Sequence, residues 1–546
     1  MERAWWKEAV FYQIYPKSFR DSNGDGIGDL NGIREKLGYL KALGVNALWI
    51  CPFYASPMAD NGYDISDYEA IHPDFGTMED CEALIAEAKA QGMRIIMDMV
   101  INHTSDRHEW FRQACADRNS PYRDFYIFRD SIDGLADLRS CFGGSTWTQI
   151  PDGSWYFHTF APEQPDLNWE NPQMRKALYA MIDRWLARGI AGFRMDAITY
   201  IKKDQRFPKT EPDGPDGRTS VWSVATNVPG IGEYLTELRD ATYGRGDYTT
   251  VAEAPGVPAD QLPEYIGKNG YFSMVFDFSY TDIDLTPGKP WIERHPFTTE
   301  EFRKALFANQ YAVKSVGWAA NYLENHDQPR SIDKYFPAED VKLCRERMAK
   351  ALGALFFFLR GTPFIYQGEE LGMVNTRFGR IEELDDINSK GEYARCLEEG
   401  YTPNQALASI NRRSRDHARL PMQWSEGEEH GFSDHAPWLG YNNAVPEISA
   451  DAEMKDPASV WSWYRDMIAL RSRSEYREIL IYGGIEEESS GDPDVIRYSR
   501  TLDGKTVHVA VNMGARRVPA RMPGLLMKAC PESPDALEPY DAAIWA

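Results

Sequence analysis

The chain has 546 residues, a formal net charge of −23 at pH 7 and 43% hydrophobic residues. This length exceeds one ordinary hydrophobic core, so we expect a large domain with smaller ones attached. The acidic balance argues against nucleic-acid binding, which needs a basic surface, and disfavours adhesion to anionic membranes.

The N-terminus and the cysteines predict a cytoplasmic protein. The first residues, MERAWWKEAVFYQIYP, break their apolar run with charge, unlike a signal peptide. Seven cysteines without CxxC pairing fit neither a disulfide framework nor a zinc site and indicate a reducing compartment. The most apolar stretch, residues 351–366, is interrupted by Arg360, Gly361 and Pro363 too soon for a membrane span.

An oxygen-rich loop, DSNGDGIGDL at residues 21–30, follows the first apolar run. The side chains of Asp21, Asn23, Asp25 and Asp29, with glycines between them, are of the kind that a hard cation such as Ca²⁺ prefers. An EF-hand would need Glu at the twelfth position, where the chain has Gly32, so that motif is disfavoured. An ordinary acidic turn remains an alternative, because Asp, Asn and Gly also dominate turns.

Eight short β-branched or aromatic runs, each followed by a helical pattern, predict the architecture. They cover residues 10–15, 47–52, 94–100, 192–198, 248–254, 273–278, 319–327 and 363–370. Such alternation indicates parallel βα units, so we expect an α/β fold, a (β/α)₈ TIM barrel with its chemistry at the C-terminal strand ends. The clearest helices are one capped by Asn171 and ended by Gly189, and one from Thr77 to Gly92.

The barrel is expected in two parts, residues 1–103 and 173–479. Between them, residues 104–172 are rich in aromatic residues, Gly and Asp, and an insertion of this length predicts a subdomain. Residues 480–546 contain short alternating runs that predict a C-terminal antiparallel β-sandwich domain.

Three acids, Asp196, Glu253 and Asp327, end separate predicted strands and would converge at the barrel mouth. Paired carboxylates there suit glycoside cleavage, in which one acid protonates the leaving oxygen and another attacks or supports the sugar centre. A single strand-end Asp is more often a turn or capping residue, but three with Arg and His companions favour an active site.

Several segments then resemble a known family. DMVINHTS (98–105), QPDLNW (164–169), GFRMDAI (192–198), VAEAPG (251–256) and ENHDQPR (324–330) resemble, in order and spacing, the sequence regions of the α-amylase superfamily of glycoside hydrolases, family 13. QPDLNW, KDQRFP (203–208), YQGEELGM (366–373) and RSRDHARLPMQW (413–424) are similar to its oligo-1,6-glucosidase, α-glucosidase and dextran glucosidase group. The resemblance covers nearly the whole chain and weakens after about residue 480.

The resemblance implies that Asp196 is the nucleophile, Glu253 the general acid/base and Asp327 a transition-state stabiliser. Arg194, two residues before Asp196 on a strand, points to the same face and is expected to keep that carboxylate ionised. Glu253 has no cation within its local motif, so we expect a raised pKa suited to proton donation. Retention through a covalent glucosyl-enzyme predicts that the two carboxyl groups lie about 5 to 5.5 Å apart.

The resemblance also implies a sugar-binding pocket. His103 and His326 would hydrogen-bond the sugar in the first subsite, and Tyr63 would stack on it. An ion pair of Asp60 with Arg415 would close the pocket behind the non-reducing end, which would make the enzyme exo-acting. Phe142 and Gln164 are expected at the pocket entrance, and core packing is an alternative role for Phe142. Asp98 and Asn102 are expected to support the site, whereas Glu369 and Glu370 are expected to be structural residues. The loop at residues 21–30 would be a structural calcium site, with Ile27 adding a backbone oxygen, and no organic cofactor is implied.

These features predict an α-glucosidase that cleaves α-1,6 and α-1,4 bonds in short gluco-oligosaccharides. A monomer is the default expectation for its oligomeric state. Ala197, after the nucleophile, replaces the Val of α-1,6 enzymes, which favours α-1,4 activity by only about 1 to 3 kcal/mol, whereas QPDLNW favours α-1,6. Trehalose-6-phosphate hydrolase, sucrose isomerase and a non-catalytic transporter heavy chain are the alternatives. The complete loop at residues 21–30 and the QPDLNW segment disfavour the trehalose-6-phosphate hydrolase, and the acidic segment at residues 379–388 disfavours the sucrose isomerase. The transporter heavy chain is disfavoured because this chain keeps all three catalytic acids and a membrane anchor is not expected.

Overall fold

The computed structural model describes residues 3–214, 216–286, 288–427 and 429–546. Its barrel strands are β1 (Phe11–Ile14), β2 (Ala47–Ile50), β3 (Arg94–Val100), β4 (Gly192–Asp196), β5 (Thr249–Glu253), β6 (Met274–Phe276), β7 (Ala320–Asn321) and β8 (Thr362–Tyr366). They are parallel, in the order β6-β5-β4-β3-β2-β1-β8-β7, and a bridge between Val275 and Ala319 joins the two ends. The predicted (β/α)₈ barrel is confirmed.

β7 is shorter than predicted. Only Ala320 and Asn321 are extended, so Asp327 follows the strand after a loop instead of ending it. The polar residues here bond to local backbone groups instead of continuing the sheet: Asn325 accepts the Asp327 N–H at 2.8 Å, and Glu324 accepts the Ser331 N–H at 2.8 Å.

Helices cover the barrel. They are Leu30–Glu35, Leu37–Leu43, Met78–Ala90, Pro172–Ala187, Ile231–Ala241, Leu262–Ile266, Thr299–Lys314, Ala338–Phe357 and Val460–Arg473. Both helices predicted in detail are present, with the Asn171 side chain accepting the Gln173 N–H at 2.9 Å and a capping box at Thr77 and Asp80. In the described ranges no helix is long and apolar enough to cross a membrane.

The insertion after β3 packs against the segment after β4. It contains the helix Glu109–Ala116 and an antiparallel sheet of Phe128–Arg129, Trp155–Phe157 and Trp147–Gln149. Leu138–Arg139 pairs with Thr219–Ser220 from the second segment, and a small apolar core unites Leu138 and Trp147 with Phe207 and Val221. Two parts of the chain therefore form this side of the barrel mouth.

The chain after β8 supplies two further parts. The helices Ile387–Glu398 and Pro403–Arg413 lie beside the barrel mouth. The C-terminal sheet contains β9 (Gly484–Glu488), β10 (Val495–Leu502), β11 (Lys505–Asn512), β12 (Leu525–Lys528) and β13 (Ala542–Trp545), antiparallel in the order β9-β10-β11-β13-β12. A second pair joins Val518–Pro519 to Ala536–Leu537, and the predicted C-terminal antiparallel domain is confirmed.

Candidate active site

Adjacent strands bring Asp196 and Glu253 to one guanidinium group. Arg194 Nη1 contacts Asp196 Oδ1 at 2.5 Å and Asp98 Oδ1 at 2.6 Å, while Nη2 contacts Glu253 Oε2 at 2.8 Å. The motif around Glu253 contains no cation, but β4 pairs with β5 and places Arg194 opposite Val251, two residues from Glu253. One buried cation therefore serves three carboxyl groups.

Both strand-end carboxyl groups titrate near neutral pH. Burial raises the pKa of Asp196 to about 7, although Arg194 acts in the opposite direction. Burial likewise raises the pKa of Glu253 to about 7, opposed by Arg194 and reinforced by the charges of Asp196 and Asp327. The expected contact of Arg194 with Asp196 is present, but a cation shared among three acids does not offset the burial of each one.

Asp327 is different, because two arginines and a histidine lie against it. Burial by itself would raise its pKa, but His326, Arg415 and Arg419 hold the pKa of Asp327 well below its usual range. Arg415 lies 3.1 Å away, Arg419 3.0 Å and His326 Nε2 3.1 Å. The Asp327 side chain is therefore a carboxylate at the pH at which Asp196 and Glu253 titrate.

Two neutral histidines border Tyr63. Burial lowers the pKa of both His103 and His326 to about 4. The His326 ring stacks on Tyr63 with centroids 5.2 Å apart, and His326 Nε2 lies 2.5 Å from the Tyr63 hydroxyl. His103 Nε2 lies 2.9 Å from the Tyr63 carbonyl oxygen, and the Asn102 amide lies 3.1 Å from His103 Nδ1. These contacts fix the ring planes at the base of the pocket.

An ion-pair network closes one side of the pocket. Arg415 lies 2.9 Å from Asp60 and 2.7 Å from Asp386, in addition to its contact with Asp327. The Gln164 amide donates to Asp60 at 3.1 Å. The predicted Asp60 to Arg415 ion pair is therefore present, and its charges are satisfied within the wall.

A cavity of about 240 Å³ contains nearly all of the predicted site residues. Those in its lining are Asp60, Tyr63, His103, Phe142, Gln164, Asp196, Glu253, Asp327 and Arg415, whereas Arg194 and His326 are buried behind it. Further lining residues, which the sequence does not single out as site residues, are Phe160, Phe278, Asp282, Leu285, Trp291, Gln328, Asn388 and Arg413. Gln328 and Arg413 lie inside motifs already quoted and could have been found, but the loop after β6 has no such motif.

Ala197 has an unusual backbone conformation. It is left-handed, with φ 43° and ψ 38°, and its N–H donates to Glu253 Oε2 at 3.0 Å. A branched residue is strained in this region, and Ala is less so. The residue after Asp196 therefore affects the position of Glu253 as well as the space beside it.

The loop at residues 21–30 folds on its own side chains. Asp21 accepts the N–H groups of Gly24 at 2.7 Å and Gly26 at 2.8 Å, and Asp29 accepts that of Gly32 at 2.7 Å. Throughout the part of the chain that the structure describes, no group of three or more His, Cys, Asp or Glu residues has an arrangement that could hold a metal ion. The structural roles expected for Glu369 and Glu370 agree with their contacts, since Glu370 accepts the Tyr12 hydroxyl at 2.7 Å and Glu369 that of Tyr464 at 2.8 Å.

Comparison with known proteins assigns the family. The family sequence model of the α-amylase catalytic domain matches residues 13–483 of this chain. The chain belongs to the α-amylase family of glycoside hydrolases. This α-amylase-family protein is 40% identical to an oligo-1,6-glucosidase of Halalkalibacterium halodurans, over 100% of this chain and 99% of the relative.

Other relatives of this α-amylase-family chain differ in their named activities. A trehalose-6-phosphate hydrolase of Escherichia coli is 40% identical, in an alignment that covers 93% of this chain and 91% of the hydrolase. The crystal structure of an isomaltulose synthase from Klebsiella sp. LX3 superposes with a TM-score of 0.93 at 38% identity, covering 100% of both chains. Family membership and glycoside hydrolysis are thus established, whereas these relatives differ in substrate.

Proposed function

We propose that the protein is a retaining, exo-acting α-glucosidase that releases glucose from the non-reducing end of short α-1,6- and α-1,4-linked gluco-oligosaccharides. The observation that carries this proposal is the pocket itself. Asp60 and Arg415 close one side, while Asp196 and Glu253 share the Arg194 guanidinium. A pocket that is closed on one side admits one terminal sugar from the other.

In the proposed reaction, Asp196 attacks the anomeric carbon while Glu253 donates its proton to the leaving oxygen. Glu253 then takes a proton from the water that displaces Asp196 from the glucosyl-enzyme, which regenerates both groups. Asp327, ionised throughout, binds sugar hydroxyls, and Tyr63 stacks on the ring. A carboxyl group that titrates near 7 can act in both proton transfers.

Charge favours a neutral substrate. Five acids and two arginines line the pocket. The arginines are already paired, Arg413 with Asp282 at 2.7 Å and with Asp284 at 3.1 Å, and Arg415 with Asp60 and Asp386. A phosphorylated sugar would therefore face five acids while both lining arginines are already engaged, which disfavours trehalose-6-phosphate hydrolysis. Sucrose isomerisation remains a second candidate, supported by the similarity to isomaltulose synthase.

The deciding experiment measures initial rates of glucose release from isomaltose and maltose at equal concentration with one enzyme preparation. Comparable rates support the dual specificity inferred from Ala197, and a large excess on isomaltose would define an oligo-1,6-glucosidase. A parallel incubation with sucrose is expected to give glucose and fructose. Isomaltulose or trehalulose as the main product would overturn hydrolysis as the principal reaction.

We further propose that the loop at residues 21–30 binds a structural Ca²⁺. Its carboxylates, all in the described part of the chain, do not form a metal-ligand cluster in the present arrangement, so they would have to turn towards the ion. Carboxylate oxygens have lone pairs for both an N–H group and a cation, and Gly24 and Gly26, at φ 82° and 88°, let the loop wrap. Calcium should raise the melting temperature and chelator should lower it, with catalysis retained at mild temperature. Asp25→Asn should abolish this response, and a melting temperature indifferent to calcium would refute the site.

A further inference from the structure

A second cavity lies beside the catalytic pocket, at the same end of the barrel. Loops after β6, β7 and β8 and the helix Pro403–Arg413 enclose about 1160 Å³. The charged groups in its lining are mainly arginines, namely Arg294, Arg377, Arg412 and Arg413 against Asp284 and Asp333. In a chain with a net charge of −23, this local excess of positive charge favours an anionic ligand.

Arg377 and Arg412 are the cations available to a ligand. Both residues are exposed, and across the described ranges neither guanidinium makes an ion pair or a hydrogen bond. Asn411 links the two segments that carry them, because its side chain accepts the Phe378 N–H at 2.8 Å and donates to the Phe378 carbonyl at 2.9 Å, and both arginines line the cavity. Arg377 and Arg412 are the chain neighbours of these two bonded residues.

Arg413 connects this cavity with the catalytic pocket, because it lines both. Its guanidinium pairs with Asp284, which also pairs with Arg294 at 3.2 Å, and with Asp282 in the pocket wall. Gln328, the neighbour of Asp327, donates to Asp282 at 3.0 Å and accepts from Lys334 at 2.7 Å. A charge added to the second cavity therefore acts on groups that line the first.

We propose that this second cavity binds a small phosphate-bearing anion, held by Arg377 and Arg412, and that binding alters catalysis through Arg413. The forked donors of two guanidinium groups match phosphate oxygens. Arg294 provides a third cation at the rim, since its side chain is 31% exposed. An anion that attracts Arg294 weakens its hold on Asp284, and the Arg413 contacts with Asp284 and Asp282 readjust.

Calorimetric titration of the full-length enzyme with inorganic phosphate and pyrophosphate tests the binding site. We expect saturable binding that weakens at least tenfold in the double variant Arg377→Ala, Arg412→Ala. Arg521→Ala, at an exposed arginine of the C-terminal domain, should bind as the unmodified enzyme does. Lack of saturable binding, or equal affinity in the double variant, would overturn the proposal.

Steady-state rates distinguish this cavity from the catalytic pocket. Pyrophosphate should change kcat as well as KM for maltose, and the double variant should lose this effect while keeping its basal rate. Purely competitive inhibition that persists in the double variant would place the anion in the catalytic pocket and refute the second site.

Discussion

Arg194 links three carboxyl groups that come from three different strands. Its relation to Asp196 follows from the sequence, because alternate residues of a strand face the same side. Its contact with Glu253 depends on which strands are neighbours and on their register, with Arg194 opposite Val251. The local motif predicts a raised pKa for Glu253 because it contains no cation, whereas in the structure burial raises this pKa although Arg194 lies against the carboxyl group.

Asp196→Asn should reduce glucose release by about 10⁴-fold or more, because the nucleophile is lost. Folding should be retained, since the amide oxygen can still accept from Arg194. Rates on maltose and thermal unfolding monitored by circular dichroism check both statements. Asp133→Asn, at an exposed position of the insertion, is the matched control. Normal turnover in the Asp196 variant would remove the nucleophile assignment.

The pKa values of Asp196 and Glu253, both raised to about 7, predict a narrow bell-shaped pH dependence of kcat/KM around neutral pH. Activity falls at low pH because Asp196 must be ionised, and at high pH because Glu253 must be protonated.

The variant Glu253→Gln separates the acid and alkaline sides of this pH profile. With an aryl α-glucoside whose leaving group needs no proton, formation of the glucosyl-enzyme by the variant should still slow at low pH. The decrease in its rate at high pH should disappear. An unchanged alkaline limb would contradict the role of Glu253.

The helix Ile387–Glu398 shows how a distant element shapes the pocket wall. Asn388 lines the pocket, and a Cβ at Gly391 would lie 2.3 Å from the carbonyl oxygen of Phe142. The helix and the insertion therefore meet at a point where only glycine fits. Sequence periodicity predicts that a helix forms, but it does not identify the backbone that the helix touches.

Gly391→Ala should lower kcat/KM by about 10-fold or more, because the helix or the Phe142 loop must shift and sub-ångström placement matters at an active site. Gly38→Ala is the control, since no atom lies within 4 Å of a Cβ there and Ala favours its helix. Rates on isomaltose and maltose give the measurement. Unchanged kcat/KM in the Gly391 variant would show that the contact does not position the wall.

At the scale of the whole molecule, a buried arginine joins the C-terminal sheet to the barrel. Arg500, on β10, donates to the carbonyl oxygens of Phe358 and Leu480 at 2.8 Å, of Gly483 at 2.8 Å and of Ile481 at 3.1 Å. Phe358 follows the barrel helix Ala338–Phe357. One side chain thus satisfies carbonyl groups from both parts of the molecule.

Arg500→Ala should lower the free energy of unfolding by on the order of 3 kcal/mol or more, because several buried carbonyl groups lose their donor. Arg521→Ala, on the exposed surface, should change it by less than about 0.5 kcal/mol. Denaturant unfolding of both variants measures the difference. Equal stabilities would show that Arg500 does not join the two parts.

Local patterns in the amino-acid sequence are enough to predict the barrel and the order of its βα units, and the sequence motifs identify about half of the residues that line the pocket. Hydrophobic runs with turn residues between them are local signals, and strand ends of a parallel barrel always meet at one face. Only the folded chain brings Arg194 against Glu253, packs the insertion against residues 219–225, and places Asp282 and Trp291 in the pocket. These depend on register and packing between segments far apart in the chain, which no local pattern encodes.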